Sequence, residues 1–154
     1  MSRYRHRRRF RMIVLGVSCA VLFACGGALN AKTHSDGNLT VVRLNRDFKL
    51  KAGQRVNLKG TSLRIKFLAV ETDSRCPSDV NCVWAGNAAV QFQLTNGRGN
   101  KTVTLNTGRG GAFVSEVEYK GYKVKLVDLS PYPRSDRKVG ASDYAATLFV
   151  SKNL

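Results

Sequence analysis

Histidine is the residue type whose scarcity constrains this chain most. The 154 residues include only two, His6 and His34, and both precede the segments that alternate like strands. A Ser-His-acid or Cys-His catalytic pair needs an imidazole base, and the usual zinc sites need imidazole ligands. We therefore expect no catalytic residue of these classes, no metal site and no cofactor in the folded part of the chain.

Acidic side chains are also few, with 10 against 26 basic ones, which gives a formal net charge of +16. A carboxylate-based hydrolase stays open as an alternative, although spacing alone brings no two acids together. The acids available to it are Glu71, Asp73, Asp79, Glu116, Glu118, Asp128, Asp136 and Asp143. Solubilising charge in loops and at strand edges is the simpler interpretation, so we predict a protein that is not an enzyme.

No apolar run reaches the roughly 20 residues that a membrane-spanning helix needs. Residues 12–24 are uncharged and mostly apolar, and six arginines precede them. A positive front before a short apolar core is typical of an export signal. Its ending, LFACGG, resembles the lipobox of bacterial lipoproteins, in which the cysteine is acylated. We predict a signal peptide over residues 1–24 and lipidation of Cys25; the alternatives are cleavage after Ala28 or Ala31 and an uncleaved anchor helix.

These signals predict an exported protein that a lipid holds in the bacterial cell envelope, at the outer membrane or the periplasmic face. Cleavage without acylation would leave it freely secreted or periplasmic. Residues 25–38 are small and polar and predict a flexible tether, which leaves residues 39–154 for one domain.

Charge indicates the kind of partner. From residue 25 onward the chain has 20 basic and 10 acidic side chains, a balance of +10. This balance favours an anionic envelope surface or a protein partner, in addition to the membrane that holds the lipid on Cys25. We expect no nucleic acid partner, because export removes the protein from the genome, and we expect a monomer.

Cysteine is scarce, and only Cys76 and Cys82 lie in the predicted domain. Five intervening residues are enough to turn the chain back to bridging distance. We predict a disulfide, because an exported domain meets an oxidising compartment. The alternatives are a thiolate metal pair assisted by Asp73 or Asp79, and a calcium site that uses the same two aspartates.

The domain is rich in short segments where apolar and polar residues alternate. They lie at residues 55–59, 62–69, 90–95, 102–105, 123–126 and 144–150. This period predicts half-buried strands, and the glycines between them predict tight turns. A strand should end before Pro131 and Pro133, which cannot donate to a ladder. We predict an all-β domain, either a single antiparallel Ig-like β-sandwich or a small barrel, with seven or eight strands.

One segment, DSRCPSDVNCVWAGNA at residues 73–88, has neither a strand nor a helix period and holds the only tryptophan. Beside a disulfide, Trp84 is more typically a packing residue than a recognition residue, and both interpretations stay open. Arg75 is expected to cap the loop or to pair with a neighbouring acid, which is by default the role of a solvated loop residue. The candidate binding surface combines Arg75 and Trp84 with Gly110 and Phe113.

This segment and its neighbours resemble a known group. The stretches DFKLKAGQRVNL, ETDSRCPSDVNCVWAGNAAVQFQL and VKLVDLSPYPRSD…DYAATLFV, within residues 47–150, are similar to a family of small exported bacterial proteins. Many of its members are lipoproteins with a DSRCP…C[VI]WAGNA signature. The resemblance implies an exported, disulfide-containing β-domain and supplies no catalytic residue.

A looser resemblance concerns TGRGGAF at residues 107–113. It is similar to the glycine-rich loop of chagasin-type peptidase inhibitors, small exported β-sandwiches that present three loops to a protease; their other two motifs have no counterpart here. The sequence therefore predicts a non-enzymatic, envelope-anchored module that binds a ligand or has a structural role, with a peptidase inhibitor as the alternative.

Overall fold

The computed structural model describes residues 40–108, 111 and 113–153. Within these ranges the chain forms nine strands and no helix. The strands are β1 (Thr40–Val42), β2 (Asp47–Lys51), β3 (Arg55–Leu58), β4 (Leu63–Asp73), β5 (Ala88–Asn96), β6 (Gly99–Asn106), β7 (Glu116–Tyr119), β8 (Tyr122–Ser130) and β9 (Ala145–Lys152). The all-β prediction is confirmed, with nine strands where seven or eight were expected. The predicted signal peptide and tether, Cys25 and Gly110 lie outside the described residues.

The strands form two separate sheets, so the domain is a sandwich and not a small barrel. Sheet A has the strand order β1-β3-β4-β5-β6, and sheet B has the order β2-β9-β8-β7. Every pair is antiparallel except β1 with β3, which departs from the all-antiparallel expectation. None of the described residues belongs to a helix with the length and apolarity needed to cross a bilayer.

The core lies between the two sheets because alternate residues of each strand point inward. In β4, Leu63, Ile65 and Phe67 are fully buried, while Arg64 between them is exposed. The ring of Phe67 contacts that of Phe92 on β5, with centroids 5.2 Å apart. The apolar positions of the predicted strands are therefore the positions that form the core.

One inward position was predicted wrongly. The alternation in residues 62–69 places Ala69 on the buried face, but Ala69 is exposed. The register with β5 shifts between Phe67 and Ala69, so that Ala69 pairs with the outward Gln91. A bulge adds one residue to the strand, and the side chains that follow change face until the second register shift, between Val70 and Thr72.

The connections between strands gather at two ends of the sandwich. Three long loops, at residues 74–87, 107–115 and 131–144, join strands at one end, which we call the loop end. Four of the five short turns, at residues 43–46, 59–62, 97–98 and 120–121, join strands at the other, which we call the turn end. The fifth, at residues 52–54, lies on the side of the loop end, where the Ala52 N–H donates to the Tyr144 carbonyl. β8 ends at Ser130, before Pro131, as the prolines predicted. β5 begins at Ala88, directly after Gly86 and Asn87.

Candidate functional site

An open cleft of about 680 Å³ lies at the loop end and is lined by all three long loops and by β8. Its apolar lining includes Trp84, Phe113, Val127 and Tyr132, and Asp128 supplies the carboxylate of the lining. Aromatic side chains from three different connections therefore face one space. Sequence reasoning had selected two of them, Trp84 and Phe113, and missed Tyr132.

Exposed apolar side chains concentrate at this end. Eight large hydrophobic side chains in the described ranges are exposed, and all except Val41 lie in the long loops or on β8 beside them. Trp84 is 79% exposed and its neighbour Val83 is 87% exposed. The expectation that Trp84 packs into the core is wrong. A cluster of this kind is a common mark of an interaction surface.

Arg75 pairs with a neighbouring acid, Asp73, as expected, but it is buried, 5% exposed, so the expectation of a solvated position is wrong. Its guanidinium donates two hydrogen bonds to the Asp73 carboxylate, from Nε to Oδ1 at 2.9 Å and from Nη2 to Oδ2 at 2.7 Å. Nη1 also donates to the carbonyl of Leu129, and Nη2 donates to that of Pro131 at 2.9 Å. Arg75 therefore ties the 74–87 loop to the end of β8.

The same arginine supports part of the cleft wall. Its guanidinium carbon lies 4.8 Å from the centroid of the Tyr132 ring, a distance at which a cation and an aromatic face attract. The Tyr144 hydroxyl donates to Oδ2 of Asp73 at 3.0 Å and completes the network. Tyr132 is held from below while half of its surface, 50%, stays exposed.

Gly86 and Asn87 set the base of the 74–87 loop. Gly86 has φ +69°, and a Cβ at this position would meet the backbone of Ser74, whose carbonyl carbon is 2.7 Å away. The Asn87 amide donates from Nδ2 to Oδ1 of Asn106 at 2.8 Å, and its Oδ1 accepts from the N–H of Gly108 at 2.8 Å. Asn87 therefore joins the first long loop to the second.

Phe113 rests on Gly108. A Cβ added to Gly108 would lie 2.7 Å from Cδ2 of Phe113, so the absence of a side chain there makes room for the ring. Phe113 remains 41% exposed. Gly110, the other member of the candidate surface in this loop, lies outside the described residues.

The disulfide closes the outer part of the 74–87 loop. Cys76 and Cys82 are bonded, with Cα atoms 5.9 Å apart, which confirms the predicted pairing. Between them, Oδ1 and Oδ2 of Asp79 accept hydrogen bonds from the backbone N–H and the hydroxyl of Ser135, at 2.9 and 2.6 Å. The first long loop is thus also joined to the third.

The ionisation of two aspartates follows from these contacts. Burial alone would raise the pKa of Asp73, but the hydrogen bonds and charge of Arg75, with the Tyr144 hydroxyl, outweigh it and hold this pKa below the ordinary value. The hydrogen bonds from Ser135 lower the pKa of Asp79. Both groups are therefore charged acceptors at neutral pH, and both serve to join loops.

Comparisons with protein families, curated proteins and solved structures gave no match. The function proposed below therefore rests on the contacts within the structure. Among the described residues, no group of three or more His, Cys, Asp or Glu side chains is placed to hold a metal ion.

The position of Val127 and Asp128 in the cleft has a local cause. The register between β8 and β9 shifts between Leu126 and Asp128, which leaves Val127 unpaired. Both Val127 and Asp128 are exposed as a result. A bulge turns side chains away from strict alternation, so no sequence pattern had marked this pair as cleft residues.

We predict that the fluorescence of the protein reports an exposed indole. Trp84 is the only tryptophan, so the indole emission comes from this side chain alone. Because 79% of its surface is accessible, acrylamide should quench it almost as well in the folded protein as in urea. Free N-acetyltryptophanamide provides the reference for full access. Strong protection in the folded protein would contradict the exposed position and restore the packing interpretation.

Proposed function

We propose that this chain is a non-enzymatic binding module of the bacterial cell envelope, anchored through a lipid on Cys25, and that it binds a protein through the loop-end cleft. The observation that carries this proposal is the exposure of Trp84 on a loop that several polar side chains tie to the rest of the loop end. Asp73, Arg75, Asp79 and Asn87 all bond to other parts of the loop end. Trp84 is left as the large side chain that these contacts do not use.

The composition of the surface favours a protein partner. Protein interfaces have aromatic residues and few charges at the centre, with charged groups at the rim. Here Trp84, Phe113 and Tyr132 surround the cleft. Arg134 and Asp136 pair with each other on the third long loop, at residues 131–144. Both are exposed, as charged groups at the rim of an interface are.

The rigid frame favours binding as well. Immobilising a loop when a partner binds costs affinity, and a surface that is already held in place avoids that cost. The disulfide, the Arg75 network and the Asp79–Ser135 contacts restrict the three loops before any partner arrives. The proposal that the module is not an enzyme is supported by the described lining of the cleft, in which Asp128 is the one carboxylate, whereas a carboxylate-based hydrolase uses two.

Crosslinking in the native envelope tests this function. A photoreactive amino acid at Val83, 87% exposed and next to Trp84, should give a discrete protein adduct, whereas the same group at Val41, 60% exposed on β1, should not. With the captured protein, Trp84→Ala should weaken binding by about 30-fold or more, as expected for a central aromatic. Val41→Ala should leave the affinity unchanged.

Other results would change the proposed ligand or the proposed contact surface. A glycan adduct at Val83 in place of a protein would assign the cleft to saccharides. Equal adducts at Val83 and Val41, or a Trp84→Ala variant with full affinity, would remove the cleft as the contact surface.

A peptidase inhibitor is the second candidate, because three loops from one end of a sandwich meet around Trp84, Phe113 and Tyr132. The protein captured at Val83 would then be a peptidase whose activity falls when the complex forms. A partner without peptidase activity would exclude this candidate and leave the binding module in place.

A further inference from the structure

We propose that the turn end is a docking surface for an anionic lipid bilayer. The turns 43–46, 59–62, 97–98 and 120–121 contain five basic residues and no acidic residue. The basic residues are Arg43, Arg46, Lys59, Arg98 and Lys120, and all five are exposed. The inference rests on this charge pattern and stands independently of the loop-end cleft and of acylation at Cys25.

Contacts between the turns and neighbouring strand ends show that they share one end of the sandwich. Three backbone hydrogen bonds connect them: Asn45 N–H to Val150 O at 2.8 Å, Lys59 N–H to Val42 O at 2.8 Å, and Asn153 N–H to Gly121 O at 2.9 Å. In addition, the Lys120 side chain lies beside Gly99. Two turns belong to sheet A, one belongs to sheet B, and the turn from β1 to β2 links the two sheets. The cations are therefore spread across an end face, which suits a planar surface better than a single bound ion.

The five cations are available to a partner. None of them forms an ion pair with a described acid, and the only side-chain contact among them is Lys120 Nζ near the Tyr119 ring, 5.9 Å from its centroid. The nearest acids in sequence, Asp47 and Glu118, belong to the adjoining strands and not to the turns. By contrast, the long loops mix acids with bases, as in the Arg134–Asp136 pair. Charge is therefore segregated along the sandwich.

The backbone conformation of Lys120 also indicates that the positive charge at the turn end has a role. Its φ is +46°, a left-handed conformation that glycine, asparagine and aspartate adopt most readily in two-residue hairpins. A lysine there is strained, and its replacement by asparagine would ease the backbone. The chain nevertheless places a cation at the tip of this turn.

A shallow cavity of about 350 Å³ opens beside the turn end and offers headgroups a place to enter. It is lined by Asn57, Thr61, Ser62, Leu63, Arg64 and Gly97. Arg64 is exposed and has no ion-pair partner among the described acids, and Oδ1 of Asn57 is buried without a hydrogen-bond partner. A guanidinium beside hydroxyls and an unpaired amide suits a phosphodiester that also carries donor groups.

Vesicle binding by the full chain tests the assignment. Sedimentation with phosphatidylcholine vesicles that contain phosphatidylglycerol is compared with sedimentation with phosphatidylcholine alone. The N-terminal arginines and apolar segment are common to every variant, so their contribution cancels when variants are compared. We expect tighter binding to the anionic vesicles, weakened when salt rises above about 0.15 M.

The decisive variant removes three cations from the turns as Lys59→Gln, Arg98→Gln and Lys120→Asn. Binding to anionic vesicles should fall on the order of 100-fold, about fivefold for each cation. A matched triple, Lys49→Gln, Arg137→Gln and Lys138→Gln, changes the net charge equally at other exposed positions. It should retain most of the binding. Urea midpoints establish that both triples fold, and the Lys59→Gln, Arg98→Gln double variant provides the same comparison without changing Lys120.

Several results would overturn the assignment of the turn end to a bilayer. Equal losses in the two triples would mean that only net charge matters, and equal binding to neutral and anionic vesicles would remove the electrostatic contact; either result overturns the proposal. Soluble polyphosphate is the second probe. If it binds through the same three cations while anionic vesicles do not, the surface belongs to a phosphate polymer and the bilayer assignment fails.

Discussion

Gly86→Ala should destabilise the domain by about 2 to 5 kcal/mol. A left-handed backbone costs an alanine roughly 1 to 2 kcal/mol, and overpacking adds about 1 to 3 kcal/mol. Both apply here, because Gly86 has φ +69° and its Cβ would lie against the backbone of Ser74 and 2.9 Å from Cα of Arg75. The neighbours that must move are backbone atoms of the loop base, so no side-chain rotation relieves the contact. The free energy of urea unfolding measures the loss.

Gly53→Ala is the matched control for this prediction. Gly53 has φ +80°, but no atom lies within 4 Å of its added Cβ. Its substitution should therefore cost only the conformational part, about 1 to 2 kcal/mol. Equal losses at the two positions would show that close approach to Ser74 contributes nothing.

The effect at Gly86 should also reach the cleft. Gly86 lies between Trp84 and Asn87, whose amide joins the loop to Gly108 at 2.8 Å. A backbone that moves away from Ser74 shifts the attachment of both neighbours. Acrylamide quenching of Trp84 in the Gly86→Ala variant tests this connection below the denaturation midpoint.

Alternation of apolar and polar residues was enough to predict the longer strands. Leu63, Ile65 and Phe67 alternate with basic residues, and the buried face follows from that pattern. β1, β2 and β7, of three, five and four residues, were not among the alternating segments from which strands were predicted. The count of seven or eight was therefore low.

The candidate site was predicted less well, because its contacts are long-range. Arg75 bonds to Leu129, 54 positions away, and Ser135 lies 56 positions from Asp79. Nothing local to residue 75 indicates that a carbonyl will be there, so an arginine in a polar loop was expected to be solvated. In the structure Arg75 lies in the interior against Tyr132, whereas Trp84 lies outside.

The two proposed surfaces, the turn end and the loop-end cleft, lie at opposite ends of the sandwich and can be occupied at the same time. The turn cations could be read from the sequence beside their glycines, as in Lys59-Gly60 and Lys120-Gly121. That they share one end required the strand order. Because the cleft lies at the opposite end, a sandwich that rests on a bilayer through its turns would hold Trp84 away from the lipid, where a protein partner has access.

Arg75→Met should cost about 3 to 5 kcal/mol at neutral pH, the usual loss when one partner of a buried ion pair is removed. The pair is well shielded, with side chains of Arg75 and Asp73 only 3% and 9% exposed. The substitution leaves Asp73 charged, with the N–H of residue 75 and the Tyr144 hydroxyl as its remaining donors. It also removes the donors to the Leu129 and Pro131 carbonyls. The free energy of urea unfolding is again the measurement.

The control is a similar ion pair at the surface. Arg134 bonds through Nε and Nη2 to the aspartate two residues later, at 3.0 and 3.2 Å, whereas Arg75 bonds to the aspartate two residues earlier. The side chains of Arg134 and Asp136 are 43% and 59% exposed. Exposed pairs contribute little because water already solvates both charges. Arg134→Met should therefore have a much smaller effect than Arg75→Met. Comparable losses would mean that burial of the pair is not the cause.

Lowering the pH should reduce the difference in unfolding free energy between the wild type and the Arg75→Met variant. In the wild type, the pKa of Asp73 is depressed, so its contribution to stability is present above the ordinary aspartate pKa and is lost as pH falls through the folded value. In the variant, the side-chain hydrogen bonds and the charge of Arg75 no longer lower the pKa of Asp73, so this pKa lies closer to its unfolded value or above it. The variant should therefore lose less stability than the wild type as the pH falls. A difference in unfolding free energy that stays constant from neutral to acidic pH would show that Arg75 stabilises the loop end by packing and carbonyl contacts alone, and not through the charge of Asp73.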